Sequence, residues 1–128
     1  MALVIVSAKN INEANEKSIN KKDKKSYIIE DKGLQDFFFE YKDSFSYYDI
    51  YYKLEPYGTS KIDNSDIVYI KEFAESVMNF IETNIELENE SIEKFNVSLS
   101  KVKRYIKKLI KLTQYAIIYS DNLIGLGD

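Results

Sequence analysis

The chain has 128 residues, 45% of them hydrophobic and 30% charged, and its formal net charge at neutral pH is −3. This length and composition exclude wholesale disorder and are typical of a globular protein, so we expect residues 1–128 to form a single domain. The chain contains no cysteine and no histidine. It therefore has no disulfide, no thiol chemistry and no Ser-His or Cys-His catalytic dyad.

The N-terminal residues predict a cytoplasmic protein. Residues 1–7 lack a basic leader, and their apolar run is shorter than the core of a signal peptide. No stretch of the sequence reaches the roughly 20 apolar residues that a membrane-spanning helix requires.

Charge is divided unevenly along the sequence. Residues 9–25 have a net charge of +3, residues 30–90 a net charge of −10, and residues 94–111 a net charge of +7. Such a separation affects which partners a protein attracts and how soluble it is, rather than which fold it adopts.

The first half of the chain is predicted to form a small, mainly antiparallel sheet. Residues 3–6 are continuously apolar and indicate a buried strand inside the sheet. A short helix at about 10–18 and a solvated loop at 21–25 follow. Residues 27–29 indicate a second strand, closed by a turn at 31–33.

Aromatic residues dominate the next part of the chain, where ten of the 21 residues from 37 to 57 are aromatic. Residues 34–41 have both strand-like and helical spacing, and we interpret them as a strand or an irregular segment. Residues 45–54 alternate with period two and predict a strand. Its core face would carry Tyr48, Ile50, Tyr52 and Leu54, and its partly wet face would carry Phe45, Tyr47, Asp49, Tyr51 and Lys53.

A turn at 56–58 is predicted to end the sheet and lead into a helix over 64–83. Pro56 fixes φ and Gly58 tolerates positive φ, and Asp63 has the position of an N-cap with Asp66 in a capping-box place. The helix has a regular apolar stripe, formed by Ile67, Ile70, Phe73 or Ala74, Val77, Met78 and Ile81.

The last third predicts a second long helix. The acidic residues 82–93 indicate a connecting loop, and residues 91–117 have helical spacing, with 116–119 either continuing the helix or forming a short closing strand. Residues 122–128 are interpreted as a tail. The predicted core positions of the helix are Val97, Val102, Tyr105, Ile106, Leu109, Leu112 and Tyr115 or Ala116. The fold class is therefore α+β, a small sheet packed against two long amphipathic helices.

No catalytic, metal or cofactor site is predicted. Asp63 and Asp66 are explained by helix capping and the helix dipole, although a carboxylate-dependent enzyme stays open. The glycines at 125 and 127 have no helix after them with which to hold phosphate. The acids of 82–90 lack the residue order of a calcium loop.

Two charged surfaces are candidates for binding. Tyrosines among carboxylates suit an interface with a basic protein, and this set comprises Asp36, Glu40, Asp43, Tyr47, Asp49, Tyr51, Glu55 and Tyr57. The alternative is that these tyrosines complete the core, or that a second copy of the chain covers them. A basic helix face could instead neutralise nucleic-acid phosphates; it comprises Arg104, Lys107, Lys108 and Lys111. The interpretation we favour for that face is a solvated helix surface, because nucleic-acid binders are usually basic overall and this chain is acidic.

The segment Glu55-Pro56-Tyr57-Gly58, followed by Thr59-Ser60, Ile62-Asp63 and a helix opening at Ile67, resembles a segment of small bacterial immunity-type proteins. Ser60 and Asp63 stand where that group usually has Thr and Asn, and Lys61 replaces an apolar residue. The resemblance covers about a tenth of the chain. It implies a non-enzymatic inhibitor that binds and blocks a toxin of a polymorphic or contact-dependent system, which agrees with an acidic surface facing a basic partner.

Overall fold

The protein is an α+β structure, as the sequence predicts. The computed structural model describes residues 2–20 and 24–127. The strands are β1 (Leu3–Ala8), β2 (Tyr27–Glu30), β3 (Thr59–Ile62) and β4 (Asn122–Leu126). The helices are α1 (Ile11–Asn20), α2 (Lys32–Glu40), α3 (Tyr48–Tyr51), α4 (Ile67–Thr83), α5 (Glu88–Phe95) and α6 (Leu99–Ile118). The predicted loop at 21–25 falls partly outside the described residues; residues 24 and 25 belong to the 3-10 turn Lys24–Ser26.

The four strands form one antiparallel sheet in the order β2-β1-β4-β3. β1 lies inside the sheet, as its continuous apolar run predicts, and Val6 pairs with Tyr27 on one side and Ile124 on the other. The predicted tail is wrong, because residues 122–126 form the second inner strand. β3 was likewise not predicted; it pairs with β4 from the edge.

Alternate residues of β1 enter two different cores. Leu3 and Ile5 belong to the larger core, which the buried stripes of α4 and α6 complete. Val6 and Ala8 point to the opposite face, where they pack with Ala14 of α1. The two long amphipathic helices therefore cover one face of the sheet, as predicted, and α1 covers part of the other.

The segment at 34–41 is helical rather than extended. Asp31 is the N-cap of α2, and its carboxylate accepts a hydrogen bond of 3.0 Å from the amide of Leu34. Helical spacing places Leu34, Phe37 and Phe38 on the buried side of α2.

The predicted strand at 45–54 is also wrong. The segment contains the short helix α3, which begins after Tyr47 in the left-handed conformation with φ of 57°. The strand prediction placed Tyr52 in the core and Tyr51 on the wet face. In the helix the reverse holds: Tyr51 is buried and Tyr52 is exposed. Seven of the ten residues from 45 to 54 are aromatic or aliphatic. Apolar residues at that density fit period two and period 3.6 equally well, so the alternation could not decide between a strand and a helix.

The predicted helix at 91–117 is two helices, α5 and α6. Asn96 ends α5 in the left-handed conformation, with a φ of 56°. Ser98 caps α6 by accepting a 3.1 Å hydrogen bond from the amide of Lys101. The capping role of Asp63 is not observed, because its side chain makes no cap bond and lies 3.3 Å from Lys61 instead. The side chain of Asp66 makes no cap bond either.

Over residues 2–20 and 24–127, none of the helices combines the length and the apolar character needed to cross a lipid bilayer.

Candidate functional site

Two adjoining clefts lie between α2, α3 and the turn that precedes β3. We call the first the Glu30 cleft, with a volume of about 530 Å³, and the second the Phe45 cleft, with a volume of about 570 Å³. Both are lined by Phe39, Tyr48 and Tyr52, so they form one continuous surface, which we call the acidic aromatic surface.

The Glu30 cleft has a buried base and an exposed rim. Glu30, Phe38, Tyr51 and Leu54 line it and are each at most 4% exposed. The other lining residues are half-buried or exposed: Lys32, Gln35, Asp36, Phe39, Tyr48, Tyr52, Glu55, Pro56 and Tyr57. Aromatic walls with a few polar groups at the base are the usual composition of a ligand-binding cleft.

A buried carboxyl and two phenols form a hydrogen-bonded chain at the base. Tyr51 donates a hydrogen bond to Glu30 Oε2, and the phenolic oxygens of Tyr51 and Tyr105 are 2.7 Å apart. Burial raises the pKa of Glu30 to about 7, although the hydrogen bonds from Tyr51 and Gln35 oppose the rise. Burial also raises the pKa of Tyr51 and of Tyr105 well above 10, so both phenols keep their protons at neutral pH.

Local sequence explains how Glu30 reaches this position. β2 alternates, so Ile28 and Glu30 point to the core while Ile29 is exposed. Asp31 immediately caps α2 and forms an ion pair with Lys101. The strand before Glu30 and the helix N-terminus after it therefore fix the backbone on both sides of this residue.

The turn at the rim of the cleft is held by the end of the chain. The amide of Gly127 donates a 2.7 Å hydrogen bond to the carbonyl of Gly58, and a Cβ at Gly127 would lie 2.4 Å from the carbonyl of Pro56. Ser60 accepts a hydrogen bond of 3.2 Å from the amide of Glu55. These contacts position Glu55 and Tyr57 at the cleft.

The Phe45 cleft carries the remaining acids of the surface. Asp43 and Asp49 line it and are exposed. Tyr47 is 40% exposed, and its ring centroid lies 4.8 Å from that of Tyr69. Phe39 is 55% exposed and contacts the ammonium of Lys42 at 4.3 Å from the ring centroid.

The structure brings seven of the eight predicted partner-binding residues to these clefts. Asp36, Tyr51, Glu55 and Tyr57 line the Glu30 cleft, and Asp43, Tyr47 and Asp49 line the Phe45 cleft. Glu40 lines neither and lies 3.8 Å from Lys94. Tyr51 is only 4% exposed, so it supports the base instead of offering a surface ring.

Several lining residues were missed from the sequence, among them Glu30, Phe39, Tyr48 and Tyr52. The alternation of β2 places Glu30 on the same buried face as Ile28. The sequence could therefore have indicated that Glu30 is a buried carboxyl. Tyr48 and Tyr52 are four residues apart, which in a helix places them on one face, and their ring centroids are 5.5 Å apart.

The basic face of α6 is exposed. Arg104, Lys107, Lys108 and Lys111, the four predicted positions, are joined there by Lys103, and we call these five residues the basic stripe. Within the described ranges none of the five is in an ion pair, whereas Lys101 pairs with Asp31. The 3-10 turn Lys24–Ser26 packs against α6 and brings further lysines to the same helix.

A second buried carboxylate, Asp121, belongs to a different part of the molecule. It accepts a 2.8 Å hydrogen bond from Ser7 and lies 2.8 Å from Lys9 and 3.7 Å from Lys17. These contacts join β4 to β1 and α1. Among the described residues, no three carboxylates converge in a way that could hold a metal ion.

Comparison with protein-family models, with curated proteins and with solved structures gave no match to this chain.

Proposed function

We propose that this protein is a non-enzymatic immunity or inhibitor protein that binds and occludes a basic protein toxin through the acidic aromatic surface. The observation that carries the proposal is the exposure of four large aromatic side chains on one surface. Phe39, Tyr47, Tyr52 and Tyr57 are 55%, 40%, 57% and 62% exposed. Exposed aromatic residues gathered in one place mark interaction sites, and tyrosine is enriched in the cores of interfaces.

The charges around these rings supply the second part of the argument. Asp43, Asp49 and Glu55 are exposed and, among the residues that the structure describes, take part in no ion pair. Carboxylates that are not neutralised within the protein attract a basic partner and accelerate its association. Aromatic anchors would then supply the buried contact area.

The test is a capture experiment with charge-reversed variants inside and outside the acidic aromatic surface. The tagged protein, the double variant Asp49→Lys/Glu55→Lys and the control Glu82→Lys would each be used to capture proteins from the host extract, at low and moderate salt. Glu82 is exposed and lies outside both clefts. We expect one basic protein to be captured stoichiometrically by the wild type and the control and lost from the double variant.

A functional measurement then separates an inhibitor from other binding proteins. The captured protein would be expressed in a host cell with and without this chain, and growth would be followed. Rescue by the wild type and failure of rescue by the double variant supports the proposal. Capture that is identical for all three proteins, or a captured protein without toxicity, contradicts it.

The basic stripe favours a second candidate function, a nucleic-acid-associated regulator. Five neighbouring cations without ion-pair partners in the described chain could neutralise phosphates. Binding of labelled duplex and single-stranded probes would be titrated at low salt with the wild type, Lys107→Glu/Lys108→Glu and the control Lys71→Glu. An unchanged fluorescence anisotropy for the wild type would remove this candidate.

A further inference from the structure

The Glu30 cleft contains more carboxyl groups than cations. Three carboxyl groups line it, those of Glu30, Asp36 and Glu55, against the single cation of Lys32. Lys32 lies 3.2 Å from Asp36 and so neutralises that carboxylate. Glu30 and Glu55 form no ion pair within the described residues, which leaves the cleft without a cation for two of its acids.

Aromatic rings form the walls around these carboxyl groups. Tyr52 and Tyr57 are each more than half exposed, and Tyr48 and Phe39 complete the wall between the two clefts. A cation over the face of a tyrosine ring is stabilised by the ring quadrupole, and a guanidinium plane can also stack on it. A cleft with rings on its sides and carboxyl groups at base and rim is therefore suited to a flat cation.

We propose that the Glu30 cleft receives an arginine side chain of the protein partner, whose guanidinium hydrogen-bonds to the cleft carboxylates and stacks on its tyrosine rings. The inference rests on the proposed function and names the group that the partner inserts. Arginine fits better than lysine because its planar head has five N–H donors, enough for carboxylates at different depths. The cleft volume of about 530 Å³ is ample for one such side chain.

The protonation of Glu30 gives the inference a second readout. Burial raises the pKa of Glu30 to about 7, so a bound guanidinium would displace its proton. The groups facing Glu30 are Asp31, Gln35, Tyr48, Tyr51 and Tyr105. The pKa of Tyr48 is raised to about 12, those of Tyr51 and Tyr105 are higher than usual, and that of Asp31 is lowered, so among these groups Glu30 alone titrates near neutrality.

The experiment uses the whole protein and three small probes followed by NMR. The probes are the N-acetyl methylamides of arginine, lysine and citrulline; citrulline keeps the shape of arginine without its charge. We expect the arginine probe to shift the resonances of Tyr52, Tyr57 and Glu30. Citrulline should bind at least about tenfold more weakly, which corresponds to roughly 1.4 kcal/mol.

Variants locate the probe within the cleft. Glu55→Gln, at the exposed rim, and Glu30→Gln, at the base, should each weaken arginine binding several-fold, and Glu82→Gln should leave it unchanged. Arginine binding by the wild type should tighten as pH rises through about 7, and Glu30→Gln should remove that dependence. If Glu30→Gln does not fold, Glu55→Gln together with the pH dependence of the wild type decides.

Each contrary result has a distinct meaning. Equal binding of the arginine and citrulline probes, or of arginine and lysine, overturns the guanidinium assignment, as do shifts confined to residues outside the cleft. Loss of partner capture by Asp49→Lys/Glu55→Lys without any arginine binding would overturn this inference and leave the proposed function standing. Arginine binding without a partner that depends on the acidic aromatic surface would overturn the assignment to a protein partner.

Discussion

The phenolic oxygens of Tyr51 and Tyr105 lie 2.7 Å apart, although the two residues are separated by 54 positions in the chain. Tyr51 comes from the short helix α3 and Tyr105 from the long helix α6. Because Tyr51 also donates to Glu30 of β2, one hydroxyl joins three elements beneath the Glu30 cleft. The cleft base is thus part of the protein core. Loss of its hydrogen bonds should therefore lower the free energy of unfolding of the whole protein.

Removing either hydroxyl tests this chain of hydrogen bonds. Tyr51→Phe removes one of the two hydrogen bonds that the buried carboxyl of Glu30 accepts from side chains, and it removes the hydrogen bond with the phenol of Tyr105. We therefore expect a loss of about 1–3 kcal/mol in the free energy of unfolding. Tyr105→Phe removes one bond and should cost about 1 kcal/mol. Urea denaturation at pH 6 would measure both.

The matched control is Tyr119→Phe, a change at an exposed ring that should leave the unfolding free energy within about 0.5 kcal/mol of wild type. A loss for Tyr105→Phe as large as that for Tyr51→Phe would show that Tyr51 is not the central member.

The raised pKa of Glu30 makes stability depend on pH in a defined direction. The pKa of this carboxyl rises from 4.5 to about 7 on folding. Between those two pH values the folded state holds a proton that the unfolded state has lost, so the free energy of unfolding falls as pH rises. Below pH 4.5 both states are protonated, and above pH 7 the full cost of about 3 kcal/mol applies.

Glu30→Gln is the variant that isolates this dependence. A glutamine keeps an acceptor for Tyr51 but carries no titrating proton. The free energy of unfolding of the variant should therefore rise relative to that of the wild type from pH 4.5 to pH 7, and the difference should then level off. Thermal unfolding at several pH values would measure it. A difference that stays constant across this window would contradict the assignment to Glu30.

Close packing at Gly33 gives a prediction that does not involve charge. A Cβ at this position would lie 2.6 Å from Val97 Cγ2 and 2.8 Å from the carbonyl oxygen of Phe95. Neither atom belongs to a flexible side chain, so Gly33→Ala should separate α2 from the α5–α6 junction and cost about 1–3 kcal/mol. Chemical denaturation would measure the loss.

Gly58 provides the contrasting control. It has a φ of 75°, and a Cβ there would meet no atom within 4 Å. Gly58→Asn should therefore be tolerated better than Gly33→Ala, since asparagine accepts the left-handed conformation more readily than most residues. The reverse order would show that backbone conformation, not close packing, limits these positions.

The long helices were predictable because their apolar stripes are regular and each extends over several turns. The stripe from Ile67 to Ile81 enters the core as expected, and so do the α6 positions from Val102 to Ala116. Their burial follows from periodicity within a single segment, which needs no knowledge of the rest of the chain.

Two errors have a different physical origin. β4 is short and contains Gly125, and it becomes a strand because it pairs with β1, whose residues lie more than a hundred positions earlier. Such pairing is tertiary information that local pattern does not contain. In the aromatic region both a period of two and a period of 3.6 fit the sequence. The acids and tyrosines of the acidic aromatic surface could therefore be listed, but the burial of Tyr51 and the exposure of Tyr52 could not be foreseen.

The left-handed conformation of Tyr47 leads to the last prediction. A tyrosine with a φ of 57° pays about 1–2 kcal/mol in backbone strain, and this one is an exposed ring of the acidic aromatic surface. Tyr47→Asn should relieve part of that strain while losing the ring contact with Tyr69, so the free energy of unfolding should change by no more than about 1 kcal/mol. Partner capture should nevertheless weaken.

Tyr69→Ala calibrates the result, because it removes the same ring contact without changing the backbone at position 47. Tyr47→Asn should be more stable than Tyr69→Ala in urea denaturation if the strain at Tyr47 is real. A Tyr47→Asn variant that is both destabilised as much as Tyr69→Ala and fully able to capture the partner would mean that Tyr47 serves packing alone. A stable variant with weakened capture would instead show that the strained ring is retained for binding.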